Sequence, residues 1–200
     1  MASWAGELET YLNTTEKNVL DRVKHCWSSL FTPRAIFYRH EKGLIDAQVS
    51  VAVVIQKMVQ SEVSGVAFTV HPVTEDYNQM IIEVALGLGE AIVGGLVTPD
   101  SYVVGKSDWS ILDIQVSEQT KKLVKGGAGN SEHGANHWVE LNAAEGGKQK
   151  LSGRQIIEFA KAFKNIEDHY GFPCDIEWAM EKNNLFITQS RPITTLKPLV

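Results

Sequence analysis

The sequence predicts an α+β fold in which an antiparallel sheet packs against helices. Three stretches carry that expectation. Residues 174–191, reading CDIEWAMEKNNLFITQSR, hold two alternating runs around the polar Lys182-Asn183-Asn184, a hairpin signal. Residues 101–104 and 111–116 read as a second strand pair across a Gly-Lys-Ser-Asp turn. Residues 153–169 place Ile156, Ile157, Phe159, Ala160, Phe163, Ile166 and Tyr170 at helical spacing. Strand pairs and amphipathic helices occurring in separate runs are the mark of the α+β class.

The bulk properties bound the rest. Two hundred residues suffice for one compact domain or two small lobes, and 44% hydrophobic with 22% charged residues is ordinary for a globular chain. A net charge of −5, with no basic run longer than Lys121-Lys122, argues against a nucleic-acid partner. No apolar stretch suits a membrane span, and the N-terminus has no signal-peptide pattern, so a cytoplasmic location is expected. Cys26 and Cys174 do not suggest a disulfide framework and read as small buried hydrophobes.

In chain order, residues 16–30 form a helix on the stripe Val19, Leu20, Val23, Cys26, Trp27 and Leu30, with Thr14 or Thr15 as its cap. Pro33 interrupts it and residues 34–40 form a second helix, with Trp27, Phe31 and Tyr38 as core. Residues 49–59 are rich in β-branched side chains and read as a buried strand. After a turn at Gln60-Ser61-Glu62, a strand returns over 65–69, with Gly65 permitting close backbone approach. Residues 80–84 are a short strand, 121–137 a polar, glycine-rich loop, and 138–141 a strand. Ser152 caps the long helix, and Gly171 and Pro173 stop it.

The hairpin carries the candidate chemistry. With its turn centred on Asn183, Glu177 lies opposite Gln189 and Asp175 opposite Arg191, while Ile176, Trp178, Phe186 and Thr188 face the other way. Two carboxylates, an amide oxygen and a guanidinium on one sheet face suit Mg²⁺ and a phosphoryl group. The alternative is a cross-strand salt bridge on a solvated face.

DIEWAMEKNNLFITQSRPIT resembles the end of the nucleotide-binding domain in the phosphoenolpyruvate synthase and pyruvate phosphate dikinase family, shared by rifampin phosphotransferases. The resemblance extends through SWAGELETYLN, CWSSLFTPRAIFYR, VSVAVVIQKMVQSEVSGVAFT, EVALGLGEAIVGGLVTPDSYVV and IEDHYGFPCDIEWA. It implies an ATP-grasp-like fold over 1–195, with 196–200 a linker stub and the N-terminal part of the fold missing, and hence exposed apolar surface. It implies Mg²⁺ on Glu177 and Gln189, phosphate contact by Arg191, and nucleotide contacts from Asp175 and Glu83, with Glu90 second. Ala5, Gly6 and Thr10 match the loop over the ATP phosphates; Gln56, Met58 and Val59 match the adenine side. GGAGNSEHGA is similar to a phosphohistidine motif but lies upstream of QSRP, where the family does not carry one, and reads as a loop. The implied activity is transfer of a phosphoryl group from Mg-ATP to a histidine on a separate swivelling domain, with pyruvate as the final acceptor. Phosphohistidine and acceptor-binding domains are the partners expected in a full-length protein, and this chain alone is expected to be incomplete and inactive. The alternatives are a non-catalytic nucleotide-binding fragment and an antibiotic kinase. An ATP-grasp carboxylate ligase ranks below both because it lacks the QSRPIT ending.

Overall fold

The computed structural model describes Trp4, residues 6–126 and residues 136–196, in two compact units, Met1–Met58 and Val59–Val200. In the first unit, helix α1 spans Val19–Ser28 and passes through a 3-10 turn, Ser29–Phe31, to α2, Pro33–Glu41. Thr32 caps α2 by accepting the Ala35 N–H, and Pro33 fits the first helical turn because no intrahelical acceptor waits there for an N–H. Helix α1 starts later than expected, at Val19, with Asn18 in the N-cap position. The Thr14 hydroxyl donates back to the Tyr11 carbonyl, and the Thr15 N–H donates to Asn18 Oδ1 at 2.7 Å, so neither threonine caps it.

The expected core of this unit is not formed as such. Leu30 and Ala35 are buried, but Trp27 is 53% and Phe31 69% exposed, Tyr38 is half-buried against Trp4, and Cys26 is only partly covered. Two short helices offer too little surface to one another to cover large aromatics. Nor do residues 49–59 form a strand. Val54 and Ile55 are among the most exposed apolar residues described, and no described segment pairs with this stretch. Side-chain propensity cannot make a strand without a neighbour for its backbone groups.

The second unit is built on a six-stranded antiparallel sheet. Its strands are β1 (Val63–Phe68), β2 (Gln79–Leu86), β3 (Asp100–Gly105), β4 (Ile111–Gln115), β7 (Cys174–Glu181) and β8 (Asn184–Pro192), in the order β4-β3-β2-β1-β7-β8. Short helices α3 (Glu90–Val93) and α4 (Ala143–Gly146) lie in its connections. Strands β5 (Lys121–Val124) and β6 (His137–Glu140) form a separate pair. Thus 121–124, expected as loop, is strand, and Lys121 sits 4.5 Å over the Trp138 ring. Apart from Gly126, the stretch GGAGNSEHGA lies outside the described residues.

Helix α5 (Gly153–Tyr170) covers one sheet face. Ser152 and Gln155 form a reciprocal capping box, and Gly171 closes the helix at φ 74°, a conformation glycine adopts without strain. Ile156, Phe159, Ala160 and Phe163 enter the core. They meet Met80, Ile82, Tyr102, Ile176 and Trp178, with Phe159 edge-on to the Trp178 indole at 5.2 Å. Each of these large side chains contributes roughly 1.5–3 kcal/mol by leaving water. Tyr170, expected in the stripe, is 51% exposed because the last helical turn lies beyond the core; its ring stacks on Phe172. Gly65 lies under Trp178: a Cβ there would come within 2.5 Å of the indole and 2.1 Å of the Glu83 carbonyl oxygen.

A buried ionic knot ties the connections to the sheet. Asp100 accepts hydrogen bonds from the Tyr102 hydroxyl at 2.7 Å, the Ser117 N–H at 3.0 Å, the Lys150 N–H at 2.9 Å and Lys150 Nζ at 2.8 Å. Lys150 Nζ also donates to the Ser117 and Gly146 carbonyls. Both charged side chains are 0% exposed, so the pair is stable only because nearly every donor and acceptor is matched.

Candidate functional site

The hairpin β7–β8 turns through two residues, Lys182 and Asn183, both with positive φ (51° and 62°), and Glu181 opposes Asn184. That is the I′ geometry that matches strand twist. The expected turn was one residue longer, centred on Asn183. A β-bulge between Glu177 and Trp178 on the pairing ladder leaves Thr188 as an extra residue and restores the lost step. Asp175 therefore does oppose Arg191, and Glu177 does oppose Gln189. Phe186 and Thr188 depart from expectation for the same reason. Phe186 opposes Ala179 on the face of Asp175 and Glu177, and Ile187 takes its place opposite Trp178.

The sheet register extends this polar face across the unit. Gln115, Ser101, Glu83, Val66, Glu177 and Gln189 form one lateral row across all six strands, on the face opposite α5. Asp113, Val103, Ile81, Phe68, Asp175 and Arg191 form the next. Glu83 and Glu177 flank Val66 and lie two strand spacings apart, about 10 Å. On the far side of the first row, Ala85, Ser64 and Ala179 are small and buried. The Ser64 hydroxyl donates to the Gly87 carbonyl at 2.7 Å, folding the turn after β2 back over them. Gly87, at φ 93°, is bridged to Leu123, where a Cβ would meet the Leu123 carbonyl oxygen at 2.4 Å.

Two contacts organise the hairpin groups. Arg191 Nε and Nη2 both lie 2.7 Å from Asp175 Oδ2, and Gln189 Nε2 donates to Glu177 Oε1 at 3.3 Å. Asp175 Oδ1 is buried without a hydrogen-bond partner. Burial pushes the Glu177 carboxyl above the usual range; the Arg191 charge opposes this shift and the Asp175 charge reinforces it. Burial also raises Glu83. The folded state therefore holds the Glu83 proton more tightly than the unfolded chain, and stability falls as pH rises through the window just above the ordinary carboxylate range. Glu83→Gln is expected to match the parent at about pH 4 and to exceed it near neutrality, read as the midpoint of urea unfolding. Equal midpoint differences at both pH values would refute this.

Gly6, Thr10, Gln56 and Met58 belong to the first unit, and Val59 opens the second. Gly6 takes φ 72°, and the Glu7 N–H donates to the Trp4 carbonyl to close a turn. Thr10 and Gln56 are exposed, Met58 and Val59 half-buried, and none lies in a strand. Ala5 lies outside the described residues. Glu90 heads α3 and accepts a hydrogen bond from Asn136 Nδ2. The structure thus brings Glu83, Asp175, Glu177, Gln189 and Arg191 to one face of one sheet. It adds Val66, Phe68 and Ile81, which no local sequence signal marked because their place depends on pairing between distant strands.

The fold and this face define a mixed α/β domain, mainly antiparallel, that presents acid, amide and guanidinium groups on the sheet surface away from its helix. The sequence matches the family described as pyruvate phosphate dikinase, AMP/ATP-binding domain, over residues 1–198, and the chain belongs to that family. It is 47% identical over 197 residues to a probable phosphoenolpyruvate synthase of Methanocaldococcus jannaschii, covering 98% of this chain and 16% of that protein. It is 46% identical over 207 residues to the phosphoenolpyruvate synthase of Pyrococcus furiosus, covering 98% of this chain and 24% of that protein. Identity to the rifampicin phosphotransferase of Bacillus cereus is 42% over 199 residues, covering 99% and 22% respectively. The chain thus spans no more than about a quarter of the length of these relatives. Among the described residues, no helix is long and apolar enough to cross a membrane.

Proposed function

We propose that this chain is the ATP-binding portion of a phosphoenolpyruvate synthase-like phosphotransferase, with an ATP-grasp-like domain over 1–195 and a linker stub over 196–200. The observation that carries the reading is the row containing Glu83, Glu177 and Gln189 with the Asp175–Arg191 pair beside it. Among the described residues, no group of three or more His, Cys, Asp or Glu side chains could hold a metal by itself. Glu177 and Gln189 stand side by side, and turning the Gln189 amide so that its oxygen replaces Nε2 would give two hard oxygens, a donor set that suits a cation completing its shell with water and phosphate. When bound there, Mg²⁺ neutralises charge on the phosphates.

Arg191 stands beside that position as the cation facing the transferring phosphoryl group. Glu83 borders the nucleotide and Asp175 belongs to the site through Arg191; the sequence match assigns Ala5, Gly6 and Thr10 to the loop that covers the phosphates. The sequence match assigns Gln56, Met58 and Val59 to the adenine side. A phosphoryl group passes to a histidine nitrogen on a swivelling domain as its P–O bond to the nucleotide breaks and the shortened nucleotide leaves; the N–P bond then breaks, freeing the imidazole, as the group passes to the enol oxygen of pyruvate. Such catalysis consists mostly of positioning and charge stabilisation. The similarity to a rifampicin phosphotransferase favours a second reading, in which an antibiotic hydroxyl is the acceptor. The two readings share the first step and part only at the acceptor.

Calorimetric titration with a non-hydrolysable ATP analogue and Mg²⁺ tests the shared step. The chain is expected to bind saturably and in a Mg²⁺-dependent manner, and Glu177→Ala and Arg191→Ala each to weaken binding by roughly 10- to 100-fold, the range for losing a charged hydrogen bond. A folded chain that does not bind, or binding indifferent to both changes, would overturn the reading.

A further inference from the structure

Among the hairpin groups on the polar face, Asp175 is the most deeply placed. Its side chain is 12% exposed, against 37% for the Arg191 side chain that it holds. Both Arg191 Nε and Nη2 converge on one oxygen, Oδ2, at 2.7 Å. The other oxygen, Oδ1, is buried and accepts nothing, so no second donor shares the negative charge that grips the guanidinium. Arg191, in contrast, keeps Nη1 free of this contact and stands outward of the acid. A ligand approaching the face meets the arginine first and cannot reach Oδ1 without displacing what buries it.

We propose that Asp175 is a positioning residue for Arg191: it fixes the guanidinium from beneath and acts on the nucleotide through that arginine, without touching the ligand. This rests on the reading of Arg191 as the phosphate-facing cation. The physical reason is entropic. A free arginine side chain has many rotamers to lose on binding, and a partner that has already ordered it removes that penalty from ligand binding. The register supports the assignment, because Asp175 and Arg191 are directly opposed on β7 and β8, where cross-strand side chains meet without backbone movement.

A double-mutant cycle on the whole chain separates the possibilities. The probes are AMP and a non-hydrolysable ATP analogue, each with Mg²⁺. Asp175→Asn keeps the size of the side chain and one acceptor oxygen; Asp175→Ala removes both, and thermal unfolding checks that each variant is folded. Asp175→Ala is expected to weaken the triphosphate about 10-fold and leave AMP unchanged, with Asp175→Asn showing a smaller loss in the same direction. Asp175→Asn/Arg191→Ala is expected to bind the triphosphate no more weakly than Arg191→Ala. Additive losses would show that Asp175 contacts the ligand directly and would overturn the proposal. Equal losses for AMP and the triphosphate would reduce Asp175 to a structural support and also overturn it. If Arg191→Ala alone binds the triphosphate like the parent, the phosphate-facing role of Arg191 fails; this result is distinguishable because it does not depend on any change at Asp175.

Discussion

Replacing Lys150 by Met lowers the unfolding free energy by about 3–5 kcal/mol, the range for removing one partner of a buried ion pair. The variant leaves Asp100 wholly enclosed, with its carboxylate still held by Tyr102 and two backbone N–H groups but without a counter-charge. It also strips the Ser117 and Gly146 carbonyls of the ammonium they share. Urea unfolding monitored by tryptophan fluorescence measures the loss. Adding Asp100→Asn to Lys150→Met is expected to recover a substantial part of it, because a neutral amide is far cheaper to enclose than an unpaired charge. A loss below about 1 kcal/mol in the single variant would show that the knot relaxes to admit water.

Gly65→Ala is the second large effect. The added methyl would stand 2.1 Å from the Glu83 carbonyl oxygen and 2.5 Å from the Trp178 ring, and neither is the loose end of a flexible chain. The first is backbone of a central strand; the second is a core indole packed by Phe159 and Phe163. Overpacking of this kind destabilises by about 3 kcal/mol or more, which lowers the melting temperature by roughly 6–12 °C for a domain of this size. A near-parental melting temperature would mean that the sheet can spread at this point. The change also reaches the polar face, since the strand carbonyl that must move belongs to Glu83.

What could be read in advance follows the range of the forces involved. Helix α5 was legible because its signals lie within a few residues of its ends: Ser152 at one, Gly171 and Pro173 at the other. The closing hairpin was legible because Lys182-Asn183 favours a tight turn and the polar residues alternate. The alignment of Asp175 with Arg191 and Glu177 with Gln189 was inferred from a turn one residue too long. It holds because the bulge at Thr188 supplies the missing residue, and the misplacement of Phe186 is the trace of that difference. Residues 49–59 show the opposite failure. Their side chains suit a strand, but a strand is a relation between two segments, and no described segment supplies the second half. The row joining Glu83 to Glu177 was illegible as geometry, because it depends on β1 lying between β2 and β7.

That central position of β1 has a kinetic consequence. The polar face is complete only when β7 closes against β1, a junction where the Cys174 N–H reaches Thr69 Oγ1 across 105 residues of chain. Closing so long a loop is entropically slow compared with forming local hairpins, and non-local pairing of this kind dominates folding times. Strands β1 to β4 form neighbouring antiparallel pairs in sequence order, whereas the Asp175–Arg191 hairpin must dock from the far end. During synthesis, β1 therefore waits as an open edge until the segment from Cys174 onward, about the last eighth of this sequence, emerges, and the acid and guanidinium groups reach Glu83 in the same event that seals the core.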